Sequence, residues 1–133
     1  MIKIFIDTNI FVSAFFFEGN ERKIISHHSK NIKYFTSEQV TDEIKTVLLK
    51  KFNVDENSIN QYLAKIILEF VLVAPDYNLN IIVRDEKDTD ILKSALAANC
   101  KYLITGDADL LTLKQVENTK IITSKQLIEK LKL

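Results

Sequence analysis

Asp7, Glu43, Asp88 and Asp107 each stand where a strand hands over to a helix, or on a helix face that otherwise calls for apolar residues. Carboxylates are rarely buried without a cation to meet them. Gathered by one fold, four such groups would repel one another, and only protonation or a divalent metal could neutralise them. Hard oxygen ligands in an open site select Mg2+ or Mn2+, as one ion or two, and the chemistry that follows is metal-assisted hydrolysis.

Each acid also has a plain structural role open to it. Asp7-Thr8-Asn9 can cap a helix over Ile10, Phe11 and Ala14. Asp88 can sit in a first helical turn, where the macrodipole favours an anion, with Asp85 as the N-cap. Asp107 and Asp109, after Gly106, can form a turn with Asx-type hydrogen bonds. Coincidence favours the metal: four local explanations must hold at one edge of one sheet, against one shared cause.

The elements that would position these acids can be read from periodicity. Ile2 to Ile6 is an apolar run broken only by Lys3, as in a buried parallel strand. Tyr34-Phe35, Tyr102-Leu103-Ile104 and Ile121-Ile122 repeat its character, and Phe70 to Val73, closed by Ala74-Pro75, fits strand or helix. Between them lie helical stripes: Val40, Ile44, Val47, Leu48; then Ile59, Tyr62, Leu63, Ile66, Ile67; then Ile91, Leu92, Ala95, Leu96. Thr36 with Gln39, and Thr123 with Gln126, fit capping boxes. Alternating strands and helices imply right-handed crossovers and a sheet covered on both faces. The expected fold is one α/β domain over residues 1–133, a three-layer α/β/α sandwich around a mainly parallel sheet of four to five strands.

In such a sheet the crevice lies beyond the carboxyl ends of the strands, where Asp7 and Asp107 arrive by topology. At about 100° per residue, Glu43 lands on the margin of the buried arc set by Val40 and Ile44, whereas Glu38 and Asp42 face away. Asp88 falls along the middle of the Ile91-Leu92-Ala95 stripe, and Asp90 opposite it.

Lysine plus arginine and aspartate plus glutamate number 18 each, so no bulk basic charge draws in a polyanion. Nucleic acid would have to be held by a local patch or through metal on its phosphates. An apolar fraction of 47% with only two glycines and one proline excludes a disordered or linker-rich chain. Cys100, the single cysteine, cannot form an internal disulfide, and the opening Met1-Ile2-Lys3 lacks a basic leader, so a cytoplasmic protein without a membrane span is expected. His27 and His28 lie toward the end of a helix, where its C-terminus explains them as well as acid–base work does. Lys45, Lys50 and Lys51 can guide phosphates or form a solvated face.

Phe5-Ile6-Asp7-Thr8-Asn9, Glu43, Arg84-Asp85-Glu86-Lys87-Asp88 and Ile104-Thr105-Gly106-Asp107-Ala108-Asp109-Leu110-Leu111 together resemble a PIN domain, in particular the VapC-like toxins of toxin–antitoxin pairs. The resemblance spans essentially the whole chain and is most specific in Thr-Gly-Asp-x-Asp-Leu-Leu. It implies that Asp7, Glu43, Asp88 and Asp107 are catalytic metal-binding acids, with Asp109 supporting a second ion and Thr8, Asn9 and Thr105 orienting acids or water. It implies an endoribonuclease that hydrolyses RNA by a metal-activated water, leaving a 5′ phosphate and a 3′ hydroxyl, with a protein antitoxin and a homodimer or higher oligomer as partners. Glu86 departs from the branch, which usually has proline there. The competing reading is a PIN-type module that binds RNA or protein without cutting. A phosphoaspartate-forming phosphatase is disfavoured, because Asn9 occupies the position of its general acid. Phe15-Phe16-Phe17 and the Tyr62 to Phe70 helix serve core packing or, alternatively, an antitoxin or dimer contact.

Overall fold

The strand β1 (Ile2–Ile6) takes the middle of the sheet because Ile4, Phe5 and Ile6, all fully buried, leave it no polar side. The computed structural model describes residues 1–81 and 83–133. In it β1 pairs in parallel with β2 (Ile32–Thr36) on one side and β4 (Tyr102–Ile104) on the other. Beyond β2 lies the short β3 (Val71–Leu72), so the Phe70 to Val73 segment resolves as a strand. Beyond β4 lies β6 (Thr119–Ile122), and β5 (Gln115–Val116) closes the edge in antiparallel pairing with it. The order is β3-β2-β1-β4-β6-β5.

The sheet therefore has six strands rather than four to five. The extra strand is half of a hairpin that turns at Glu117, whose φ of 50° lies in the left-handed region. Two residues with no apolar run give no periodic signal, and a hairpin edge needs none.

Among the described residues seven α-helices flank the sheet: α1 (Thr8–Phe16), α2 (Asn20–Ile25), α3 (Glu38–Thr46), α4 (Glu56–Glu69), α5 (Glu86–Ala97), α6 (Ala108–Leu113) and α7 (Ser124–Leu131). The chain walks outward from β1 through β2 to β3, then in the opposite sense from β4 to β6. Right-handed crossovers thus put α1 to α4 on one face and α5 and α6 on the other, with the reversal between β1 and β4. Asp7 directly follows the end of β1, and Asp107 comes three residues after the end of β4. Among the described residues no helix is long and apolar enough to cross a membrane.

Thr123 and Gln126 form the expected capping box on α7. At α3 the cap sits one residue later than expected. The strand continues through Thr36, which pairs with Leu72 and donates its fully buried hydroxyl to Ile6 O at 3.0 Å. Ser37 caps instead, accepting from Val40 N at 3.3 Å. Ser37→Ala is accordingly expected to cost about 1 kcal/mol in denaturant unfolding, the ordinary worth of a hydroxyl cap.

The α-helical phase of α3 also ends sooner than its stripe implies. Val47–Lys51 forms a π-helical turn, closed by Phe52 N–H on Val47 O at 3.3 Å, before Asn53 at φ 53° redirects the chain. Leu48 stays buried while Lys51 and Phe52 are exposed. Wide turns of this kind recur at functional sites, and this one abuts the acids.

Candidate functional site

Asp7, Glu43, Asp88 and Asp107 line one open cleft of about 690 Å3, although they come from the turns after β1 and β4, from α3 and from the first turn of α5. Thr8, Asn9, Asp85, Lys51 and Lys87 line it too.

Backbone geometry sets the first two acids. Asp7 caps α1 through Thr8 N at 2.7 Å, and its other carboxyl oxygen accepts from the Thr105 hydroxyl at 2.7 Å. The same Thr105 oxygen accepts from Asp107 N at 3.0 Å, so one side chain locks the two strand ends together. Asp107 caps α6, accepting from Asp109 N at 2.8 Å and Leu110 N at 3.2 Å. The capping roles open to Asp7 and Asp107 are thus real, and they orient the carboxylates instead of competing with the cluster. Asn9 accepts from Gly106 N at 3.2 Å. A Cβ at Gly106 would lie 3.4 Å from Asn9 Nδ2, an ordinary contact, so the Asn9 side chain packs directly over this turn.

Glu43 is half-buried on the margin of α3, while Glu38 and Asp42 are exposed. The Thr8 hydroxyl donates to one of its oxygens at 3.0 Å, and Gln39 Nε2 donates to the other at 3.3 Å. Gln39 also donates to Lys87 O at 3.2 Å, tying α3 to the turn that carries Asp88. Its role in the site escaped the sequence reading, which spent Gln39 on a cap at Thr36. The usable signal was its spacing of four from Glu43 on one helix face.

Asp88 lies in the first turn of α5, buried at 8% exposure, with Asp85 as the N-cap. Glu86 takes the first helical position, which proline favours but a helix does not require, and Asp88 still falls in the first turn. Asp88, Asp107 and Asp109 can each bring a carboxylate oxygen within 4.8 Å of the others. Asp88 Oδ2 is buried without a hydrogen-bond partner. Among the described residues the one ion pair is Arg22–Glu18, so no lysine or arginine neutralises these acids.

The electrostatic consequence is that Asp7 and Asp88 are held against ionisation. Burial pushes Asp7 up to about 6 against the Thr105 and Thr8 hydrogen bonds, with Glu43 and Asp107 adding repulsion. Burial also raises Asp88, and the charges of Asp107, Asp7 and Asp85 raise it further. A donor set of four or five carboxylates, with one oxygen orphaned and no ion pair to any of them among the described residues, fits a hard divalent cation. Removing a hydrogen bond that orients such a ligand lowers metal affinity by about 10- to 100-fold. Thr105→Val is expected to fall in that range in calorimetric Mn2+ titration, and unchanged affinity would show that Thr105 does not position Asp7.

The other titratable candidates stay apart. His27 and His28 follow the end of α2 and line a separate hollow with Lys30 and Tyr34. Cys100 is fully buried, and burial pushes its thiol up to about 12, so it is no nucleophile. Lys45 and Lys50 do not line the cleft, whereas Lys51 does. Phe15 is half-buried against Tyr62, but Phe16 and Phe17 open onto the cleft, so that run is only partly core.

Comparisons with known proteins agree with this architecture. The family model described as PIN domain matches residues 3–109. The uncharacterized protein MJ1680 of Methanocaldococcus jannaschii is 32% identical over 142 residues, spanning 96% of this chain and 90% of that protein. Among solved structures, a chain of the crystal structure of VapBC2 from Rickettsia felis bound to a DNA fragment from their promoter superposes with a TM-score of 0.67. That pair covers 92% of this chain and 98% of the other at 15% identity, a likeness of fold. PIN domains are generally nucleases that use divalent metals, in keeping with the acidic cluster here. With the family's model matching most of its length, the chain belongs to the PIN domain family.

Proposed function

We propose that the chain, as one PIN-type domain over residues 1–133, is a divalent-metal-dependent endoribonuclease acting in the cytoplasm as the toxin of a toxin–antitoxin pair. The observation that carries the reading is the convergence of Asp7, Glu43, Asp88 and Asp107 on one cleft, with no ion pair to any of them among the described residues and with Asp88 Oδ2 unsatisfied. An inert domain gains nothing from such mutual repulsion. Likeness of fold to a chain of a VapBC complex supports a protein antitoxin as partner.

Asp7, Glu43, Asp88 and Asp107 would hold Mg2+ or Mn2+, with Asp109 supporting a second ion. When bound, the cation supplies an activated water and charge for the departing 3′ oxygen, leaving a 5′ phosphate and a 3′ hydroxyl. The chain's own residues do the positioning. Thr105 and Thr8 N–H fix Asp7, Thr8 and Gln39 fix Glu43, and the α6 amides fix Asp107. Burial and the charge of Asp107 raise Asp88 well above the ordinary aspartate range, so cation binding there would be linked to loss of a proton. Lys51 and Lys87 offer ammonium groups to the flanking phosphates.

Purified protein incubated with total RNA should degrade it in Mn2+ and not in chelator. The rival, a binding module that does not cut, predicts a cation-induced thermal shift with the RNA intact, and that outcome would overturn the nuclease assignment.

A further inference from the structure

Outside the cleft, the chain buries a polar group for which the fold supplies no partner. The Tyr34 side chain in β2 is 9% exposed, its ring lies 5.7 Å from that of Phe70, and its buried hydroxyl makes no hydrogen bond. A hydroxyl stripped of water without a partner weakens a fold, so such an orphan calls for an explanation. Burial also pushes Tyr34 up to about 12, which keeps its proton in place and leaves the oxygen a donor without an acceptor.

Tyr34 lines a hollow of about 430 Å3 whose other walls are rich in donors. His27, half-buried, and His28, Ser29 and Lys30, all exposed, contribute from the segment after α2. Ser29 Oγ accepts from Asn31 N at 3.2 Å, which leaves its own proton to donate. Glu69, at the end of α4, is the one acid on the lining. Lys33 lines the hollow too, but its ammonium sits 5.8 Å from the ring centre of Phe35, on the opposite face of β2 from Tyr34. Interaction with the C-terminus of α2 accounts for the histidines and Lys30, yet it leaves the buried Tyr34 hydroxyl unexplained.

The geometry points to this hollow as a second binding site, which takes a phosphate monoester on a body of nucleotide size and serves its phosphate with Tyr34, His27, His28 and Lys30. The inference is independent of the nuclease reading. An acceptor with several oxygens suits donors that arrive from β2 and from the segment after α2, and hydrogen bonds to a charged acceptor are the strong kind. A metal ion does not suit them. Among the described residues the one group of three or more acids, histidines or cysteines at ligating distance is Asp88, Asp107 and Asp109. The volume exceeds that of a bare phosphate and falls within the range of small-molecule sites, with Ile32 and Val71 as apolar lining for the rest of the ligand. Glu69 is left to accept from a hydroxyl or amine of that body. The hollow gathers around the first residues of β2, whereas the acids lie beyond the carboxyl ends of the strands, about 16 Å away along five residues. A ligand there takes no part in the chemistry of the cleft.

Adenosine monophosphate titrated calorimetrically into the metal-free protein should bind, adenosine should not, and inorganic phosphate should compete. Tyr34→Phe keeps the ring against Phe70 and removes only the hydroxyl. It should weaken binding about 10- to 100-fold, the effect of losing a hydrogen bond to a charged group, and melt no lower than wild type without ligand. Lys30→Ala should weaken binding while cutting RNA in Mn2+ as wild type does. Asp7→Asn should bind the nucleotide like wild type, which separates the hollow from the acid cleft. A 5′-phosphorylated trinucleotide that binds more tightly than adenosine monophosphate would assign the hollow to RNA ends, and equal or weaker binding would assign it to free nucleotides. No binding by wild type, unchanged affinity in Tyr34→Phe, or binding lost in Asp7→Asn overturns the site. So does a Tyr34→Phe protein that melts well below wild type, because its hydroxyl would then already serve the fold.

Discussion

Asp7→Asn is expected to melt above the wild-type protein in metal-free buffer at pH 8, while cutting RNA at least about 100-fold more slowly in Mn2+. The two effects share one cause. Asp7 ionises near 6 in the folded chain against an ordinary 3.8, which makes its charge at pH 8 a burden of about 3 kcal/mol on the metal-free fold. Asparagine removes that charge at nearly the same volume. Its oxygen can still accept from Thr8 N, and its amide can donate to Thr105 Oγ1, which already accepts from Asp107 N. The Thr105 hydroxyl proton then loses its acceptor, at a cost of about 1 kcal/mol. The balance favours the variant by about 2 kcal/mol, a rise of several degrees in a chain of this length. Scanning calorimetry in chelator and a gel assay in Mn2+ check the two halves. A variant less stable than wild type would mean that Asp7 is chiefly a cap, and undiminished cleavage would remove it from the metal site.

That Asp7 and Asp107 would meet could be read from topology, because strands alternating with helices bring carboxyl ends to one edge whatever the loops do. Glu43 was legible for a different reason. Its helix keeps an undistorted phase up to Thr46, so a wheel drawn from Val40 places it correctly on the margin. The same wheel loses its meaning at Val47, where the wide turn inserts an extra residue per turn and carries Lys51 and Phe52 into the cleft. No local composition marks that change. Thr36 and Ser37 are equally good caps by type, and only the pairing of Thr36 with Leu72 across the sheet decides between them. The opening of Phe16 and Phe17 onto the acids was hidden likewise, since an apolar run reads as core until tertiary contacts show where the core stops.

Magnesium should raise the melting temperature little at pH 5 and strongly at pH 8, and the metal-free protein should lose stability over the same range. An acid whose folded pKa lies above its unfolded value contributes stability that is complete below the unfolded value and vanishes as pH rises through the folded one. For Asp7 that window runs from 3.8 to about 6. Asp88, raised by burial and by Asp107, adds a loss of the same sign. Cation binding needs both carboxyls ionised, so protons compete with metal at pH 5 and no longer do so at pH 8. The exposed Asp55, lowered by hydrogen bonds from Ser58, has the opposite sign and acts only below the ordinary aspartate range, outside the comparison. Melting curves in chelator and in Mg2+ should therefore diverge from pH 5 to pH 8, and Asp88→Asn should narrow the gap by weakening cation binding and relieving the metal-free repulsion together. Curves that run parallel across this range would mean that these carboxyls do not exchange protons for metal, and the cluster would then need another explanation.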